Sequence, residues 1–186
     1  MTSNTRLLQL GCATAFALFA LVPDHAQAGG SATAPAMYNV EEVVVQPIHF
    51  GDPKIAKTCS LSQDEIGAVV LKTLRDNGVP ANSSLEAKPP VQGLARINLV
   101  TDIFSLNSQG LDCTSWISLT AETHNSVHVP PVDLARNVAV VYWHEGSMLA
   151  SGQVIHDRLV DETITKLARH LADQYKADQP AAVSDK

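Results

Sequence analysis

The feature that most constrains the fold is a stretch in which apolar and polar side chains alternate, residues 111–123. Its apolar positions are Leu111, Cys113, Ile117, Leu119 and Ala121, and its polar positions are Asp112, Thr114, Ser118, Thr120 and Glu122. A period of two is typical of a strand with one buried face and one face toward water. The sequence therefore predicts a half-buried strand that carries Cys113 on its inward face.

The first residues indicate export. Arg6 precedes an apolar run at residues 7–22, which is followed by Pro23 and by a small-x-small sequence ending at Ala28. This order is typical of a secretory signal peptide. The alternative is an uncleaved membrane anchor, but the run has 16 residues, whereas about 20 are needed to span a bilayer. We expect residues 1–28 to be removed near Ala28, which gives a periplasmic or secreted chain with no stable membrane span.

The net charge limits the classes of partner that the protein can bind, and the cysteine content indicates a disulfide. The formal net charge is -6, and it does not change when Arg6 and Asp24 leave with the signal. An acidic chain argues against nucleic acid and anionic membranes, which favour Lys and Arg. Cleavage also removes Cys12, so Cys59 and Cys113 remain in an oxidising compartment. We predict one disulfide between them, because a redox-active pair is expected to have Cys-x-x-Cys spacing.

Two segments have helical signals. The sequence from Ser62 to Glu65 has the capping-box form, apolar residues follow at helical spacing, and Gly78 can end the helix in a left-handed conformation. A second apolar stripe predicts a helix at residues 157–176, with His156 at its start. The members of this stripe are Val160, Ile164, Leu167, Leu171 and Tyr175.

Strand signals occupy much of the remaining sequence. The first predicted strand lies near a sheet edge, with a solvent-exposed start at Glu41 and Glu42. The predicted strands cover residues 40–48, 97–106, 111–123 and 137–144, and a turn at 145–147 would lead into a short return strand at 148–154. A turn at 107–110 would join two strands as an antiparallel hairpin, and residues 80–93 and 124–136 are expected to be surface connectors.

These elements predict a two-layer α+β domain at residues 38–178. The expected sheet is antiparallel with about four strands, and two amphipathic helices cover one face. The expected order is strand, helix, strand, strand, strand, helix. Residues 29–37 are predicted to be a flexible leader, and residues 179–186 a disordered tail.

Three segments occur together in this chain: residues 61–79 with a Leu-Arg-x-x-Gly helix cap, Tyr142-Trp143 followed by Gly146, and a closing segment at 171–175 that ends in Tyr. In this combination the chain resembles a loose group of small, uncharacterised, exported bacterial domains. The resemblance implies an α+β architecture and a bacterial envelope setting. It implies no activity and no catalytic residue.

Three histidines form a candidate metal site. His124 and His128 are four residues apart, and a local turn could bring them together with His144 as a third ligand. If the segment is extended, four residues separate the two rings by about 13 Å, which is too far for one ion. In that case the histidines are solvent-exposed loop residues.

Trp116 is the candidate partner-binding residue. Alternation places it on the polar face of its strand, with Thr114, Ser118 and Thr120. There it either packs against neighbouring strands or forms an exposed platform for a partner, because large aromatic residues dominate interface hot spots. Tyr142 or Trp143 could join it, since the two point to opposite faces.

The sequence contains no G-x-S-x-G, P-loop or H-E-x-x-H motif. We therefore expect a protein that is not an enzyme and needs no cofactor. The leading hypothesis is an exported binding or accessory protein of the cell envelope, which contacts another envelope protein through the face around Trp116. The alternative is a metal or small-ligand carrier that uses His124, His128 and His144.

Overall fold

The computed structural model describes residues 36–87, 95–108, 111–128 and 135–179, without the side chains of residues 126–128 and 135. The predicted signal peptide, most of the predicted leader and the tail beyond residue 179 lie outside the described residues. The paired prolines of the two predicted connectors, at 89–90 and 130–131, also lie outside them.

The described residues form an α+β domain, as predicted. Its elements are β1 (Glu42–Val45), β2 (His49–Phe50), α1 (Pro53–Thr58), α2 (Gln63–Asp76), β3 (Ala81–Ser83), β4 (Arg96–Ser108), β5 (Asp112–His128), β6 (Ala135–Gly152) and α3 (Gln153–Asp178). The strand order in the sheet is β3-β1-β4-β5-β6, and β2 pairs with β4. The predicted antiparallel sheet of about four strands is wrong, because this sheet is mixed and has six strands.

The parallel part of the sheet explains the difference. β1 lies between β3 and β4 and runs parallel to both, so it is an interior strand and not the predicted edge strand. A parallel pair needs a crossover connection, and the segment containing α2 supplies it between β1 and β3. β3 has only three residues and the sequence Ala-Asn-Ser, which is poor in strand formers, so the sequence did not predict it.

The antiparallel part consists of two hairpins. β4 and β5 pair as predicted. β5 and β6 then pair over their whole length, from Asp112 opposite Gly152 to His128 opposite Ala135. The predicted connector at 124–136 is therefore wrong for its described residues, which extend this hairpin. The predicted turn at 145–147 is also wrong, because β6 passes through Gly146 without reversing.

The core lies between the sheet and the helices. Cys113, Ile117, Leu119 and Ala121 are all fully buried, as predicted, whereas Leu111 lies in the turn before β5 and is exposed. We call the face that carries these buried residues the inner face. All five residues of the predicted α3 stripe are buried, and α3 contacts α2, β5 and β6. In the described part of the chain, no helix has the length and apolar character needed to cross a membrane.

The predicted disulfide between Cys59 and Cys113 is confirmed. The two Cα atoms are 5.9 Å apart, and both side chains are fully buried. Cys59 is the residue at the C-terminal end of α1, and α2 begins shortly after it with Ser62 as its N-terminal cap. The disulfide therefore fixes the segment between α1 and α2 to the inner face of β5.

The two ends of the domain contact each other. The Met37 backbone N–H donates a hydrogen bond of 3.0 Å to Asp178 Oδ2, and Gln179 Nε2 donates one of 2.9 Å to the Met37 carbonyl. The Tyr175 hydroxyl donates to the Val40 carbonyl at 2.9 Å. Met37, which lies in the predicted leader, is fully buried and packs with the core.

Candidate functional site

The outer face of the sheet, opposite the helices, carries a group of exposed apolar side chains. We call Phe104, Leu106, Trp116 and Met148 the apolar patch; their exposed fractions are 51%, 70%, 45% and 70%. Phe104 lies opposite Trp116, and Trp116 lies opposite Met148, so these three form one row across β4, β5 and β6. Single exposed apolar side chains are common, but a contiguous group indicates an interaction site.

The two aromatic rings of the patch each pack over a glycine, where the absence of a side chain leaves room for the ring. A Cβ atom added at Gly51 would lie 2.3 Å from Phe104 Cδ1, and one added at Gly146 would lie 2.7 Å from Trp116 Cζ2. The Phe104 ring therefore lies over Gly51, which follows β2, and the Trp116 ring lies over Gly146 of β6. Each ring occupies the space that a side chain would fill. This packing holds both rings in place, which lowers the conformational entropy that binding would cost.

The patch borders a cleft of about 400 Å³, whose other wall includes Gly51, Asp52 and Ile55. Asp52 begins α1, where its Oδ1 accepts hydrogen bonds from the Lys54 and Ile55 backbone N–H groups at 2.8 and 3.3 Å. At the rim, the His49 ring lies edge-on to Phe104 with the ring centroids 6.2 Å apart. An apolar cleft with a few polar groups at its rim is typical of a binding site.

The structure separates the four residues predicted for partner binding. Trp116 and Thr114 line the cleft. Ser118 is buried, and the Thr120 hydroxyl is hydrogen-bonded to His144 Nδ1 at 2.9 Å. Only the first two therefore belong to the cleft.

The other members of the patch were not predicted as binding residues. Alternation along β4 places Phe104 and Leu106 on the face opposite Ile103, as the structure shows. Met148 was missed, because the expected turn at 145–147 would have carried it away from Trp116. Neither Tyr142 nor Trp143 joins the patch. Both are partly buried against the core, and Tyr142 is the residue at the irregularity opposite Ala121 and Glu122.

The three histidines of the alternative hypothesis lie at different places along the β5–β6 hairpin. His144 lies opposite Thr120, His124 opposite Ala139, and the backbone of His128 opposite Ala135. Successive members are thus about four residues or 13 Å apart along the strands. The structure does not bring the three together, and the residues it describes contain no group of three potential metal-binding side chains.

A buried chain of hydrogen bonds on the inner face was not predicted. Ser105 and Ser115 are joined through their Oγ atoms at 2.7 Å. His156 Nε2 is 2.8 Å from Ser115 Oγ, and its Nδ1 is 2.8 Å from Ser151 Oγ. Because Ser115 and His156 are both fully buried, this serine–histidine pair is closed to a substrate. Its role is to satisfy the polar groups that α3 brings onto the sheet.

We expect this buried histidine to make the domain less stable in acid. Burial lowers the pKa of His156, so below about pH 6.5 the unfolded chain binds a proton that the folded chain does not. The free energy of unfolding should therefore decrease in urea titrations as the pH falls from about 7.5 through about 6.5. His156→Gln serves as the control, and its stability should depend less on pH. An equal pH dependence in the variant would contradict the assignment.

Comparisons with known proteins identify no family. No family model matches the chain, and no curated protein matches it. Among solved structures, the dodecamer of a PelC variant from Paraburkholderia phytofirmans is similar with a TM-score of 0.42 and 12% identity, covering 73% of this chain and 90% of that chain. A protein described as a homologue of neuraminyllactose-binding hemagglutinin, from Helicobacter pylori, has a TM-score of 0.34 and 9% identity, with 82% and 92% coverage. At these scores neither similarity carries an argument about function.

Proposed function

We propose that this protein is an exported, non-enzymatic binding protein that docks another protein of the cell envelope onto its apolar patch. The observation that carries the proposal is the patch itself, in which two aromatic rings are held over glycines beside an apolar cleft. The signal-like N-terminal sequence and the Cys59–Cys113 disulfide support an oxidising, extracytoplasmic location.

The chemistry of the patch favours a protein partner that inserts an apolar or aromatic side chain. Aromatic residues and Met are enriched at the centres of protein interfaces, and a polar rim surrounds such centres. Here the rim carries Asp52, Thr114 and His49 beside the row of apolar side chains. The acidic group at this rim and the net charge of -6 disfavour an anionic lipid surface.

Site-specific photo-cross-linking in the native host would find the partner. A photoreactive amino acid at Leu106 should yield a discrete cross-linked protein, because this side chain stands at the edge of the cleft. The matched control position is Val154, at the start of α3, whose exposed fraction is 94%. Cross-linking to the same proteins from both positions, or from neither, would contradict the proposal.

We expect Trp116→Ala to weaken binding to the partner identified in this way by about 2 kcal/mol, or about 30-fold in Kd. The change removes the ring that fills the centre of the patch, and Trp116 makes no core contact on the inner face. Calorimetric titration of the purified pair measures the effect, with Val154→Ala as a control that should bind like the wild type. Equal affinity for Trp116→Ala and the wild type would overturn the assignment of the patch.

A further inference from the structure

β6 is the last strand of the sheet and has 18 residues. β5 pairs with one side of it, and no strand among the described residues pairs with the other side. An edge strand of this length presents a row of backbone N–H and C=O groups that another strand can pair with. This edge is distinct from the apolar patch, apart from Met148.

β6 lacks two of the residue types that often protect an edge strand. Lys and Pro block strand addition in many proteins, and β6 contains neither. Two of its three valines, Val138 and Val140, have nearly equal exposed fractions of 39% and 38%. β6 therefore combines free backbone groups with exposed, strand-favouring side chains.

The irregularity in β6 gives the strand a self-complementary pattern. Glu145 and Trp143 lie opposite the inner-face residues Leu119 and Ala121. The extra residue Tyr142 follows, and the register resumes with Val141 opposite Glu122 and Val140 opposite Thr123. The extra residue changes the alternation, so that Arg136, Val138 and Val140 point to the same side of the sheet as Trp143 and Glu145. When the extra residue Tyr142 is not counted, Arg136 and Glu145 each lie four positions from Val140, in opposite directions.

We propose that a second copy of this chain pairs with β6, antiparallel and with its two-fold axis at Val140. Val140 then lies opposite Val140 of the second copy, Val138 opposite Trp143, and Arg136 opposite Glu145. The last contact occurs twice, once at each end of the paired segment. Opposite charges placed across a strand pair stabilise it, and a two-fold interface must be self-complementary in this way.

The charge pattern is what selects a second copy over an unrelated strand. The Glu145 carboxylate already accepts from His170 Nδ1 at 2.9 Å. A carboxylate has about four acceptor sites, so it can also accept from Arg136 of the second copy. An arbitrary peptide would match this pattern only by chance, whereas a second copy matches it by symmetry.

Cysteine cross-linking tests the register. The native cysteines of the domain are joined to each other, so a new cysteine supplies the one reactive thiol of the mature chain. Val140→Cys should form a disulfide-linked dimer under mild oxidation, because its two copies would meet at the axis, about 5 Å apart between Cα atoms. Val138→Cys is the matched control and should cross-link far less. Equal cross-linking of the two variants, or none at Val140→Cys, would overturn the proposal.

Charge exchange provides an independent test by analytical ultracentrifugation. The mature protein should dimerise reversibly, and Arg136→Glu should raise the dimer Kd about tenfold, because two like-charge contacts replace two attractive ones. Glu145→Arg should act in the same direction, and the double variant should regain the dimer. A wild type that stays monomeric up to about 0.5 mM, or a double variant no better than the singles, would contradict it. Neither outcome bears on Trp116 and the apolar patch.

Discussion

Removing the disulfide should lower the free energy of unfolding by about 4 kcal/mol. Cys59 and Cys113 are separated by 54 positions in the sequence, and closing a loop of that length removes much of the entropy of the unfolded chain. A loss of this size is a large part of the roughly 5 to 15 kcal/mol that stabilises a typical domain. The bond also holds the α1–α2 segment against β5, so its loss should loosen α1 first.

The variant to use is Cys59→Ala with Cys113→Ala, because both positions are fully buried and alanine leaves no unsatisfied polar group there. Urea denaturation measures its stability against the wild type. Reduction of the wild type should produce a similar loss, whereas the reductant should not affect the double variant. A loss below about 1 kcal/mol in both comparisons would show that the loop is already restricted in the unfolded chain.

Replacing Glu42 with alanine should cost about 3 kcal/mol. The sequence predicted an exposed glutamate at the start of a strand, and this prediction is wrong. Glu42 lies opposite Arg96 in the register of β1 and β4, and its Oε2 accepts from Arg96 Nε at 2.6 Å. Only 11% of the Glu42 side chain and 17% of the Arg96 side chain are exposed. Removing one charge of such a pair leaves the other with its desolvation cost.

Glu41 supplies a matched control for this prediction, because it is the preceding residue, has the same chemistry and is exposed. Glu41→Ala should change the free energy of unfolding by less than about 0.5 kcal/mol. Glu42→Gln separates charge from hydrogen bonding, since it retains an acceptor for Asn82 Nδ2, which donates to Glu42 Oε1 at 2.8 Å. Equal losses from Glu41→Ala and Glu42→Ala, measured by thermal or urea unfolding, would contradict the buried pair.

The parts of the fold that the sequence predicted are those with local signals. The Ser62 cap, the α3 stripe and the alternation around Cys113 each depend on residues close together in the chain, and each is present in the structure. β3 was missed because its pairing with β1 depends on the crossover through α2 and not on its own residues. The extension of β5 to His128 was missed for the same reason, since its polar residues are held in a strand by pairing with β6.

In the candidate site too, the residues with a local signal were predicted, and those that depend on strand pairing were missed. Trp116 was placed correctly on the outer face because alternation is a local property, and the same alternation in β4 accounts for the exposure of Phe104 and Leu106. Met148 could not be predicted, because Glu145-Gly146-Ser147 has the composition of a turn. Gly146 instead stays extended, and its missing side chain makes room for the Trp116 ring. That Gly146 lies beneath the ring of an aromatic residue on the neighbouring strand can be recognised only after the strand pairing is known.

The contact between Met37 and Gln179 has a consequence for how this domain can be joined to other chains. The two ends of the described domain lie next to each other, so we expect that it could be inserted into a loop of a host protein with little change to either. A circular permutant that connects the two ends by a short linker should likewise retain the sheet and the disulfide. In such a permutant the outer face of the sheet should be unchanged, because the Met37–Gln179 contact does not involve it.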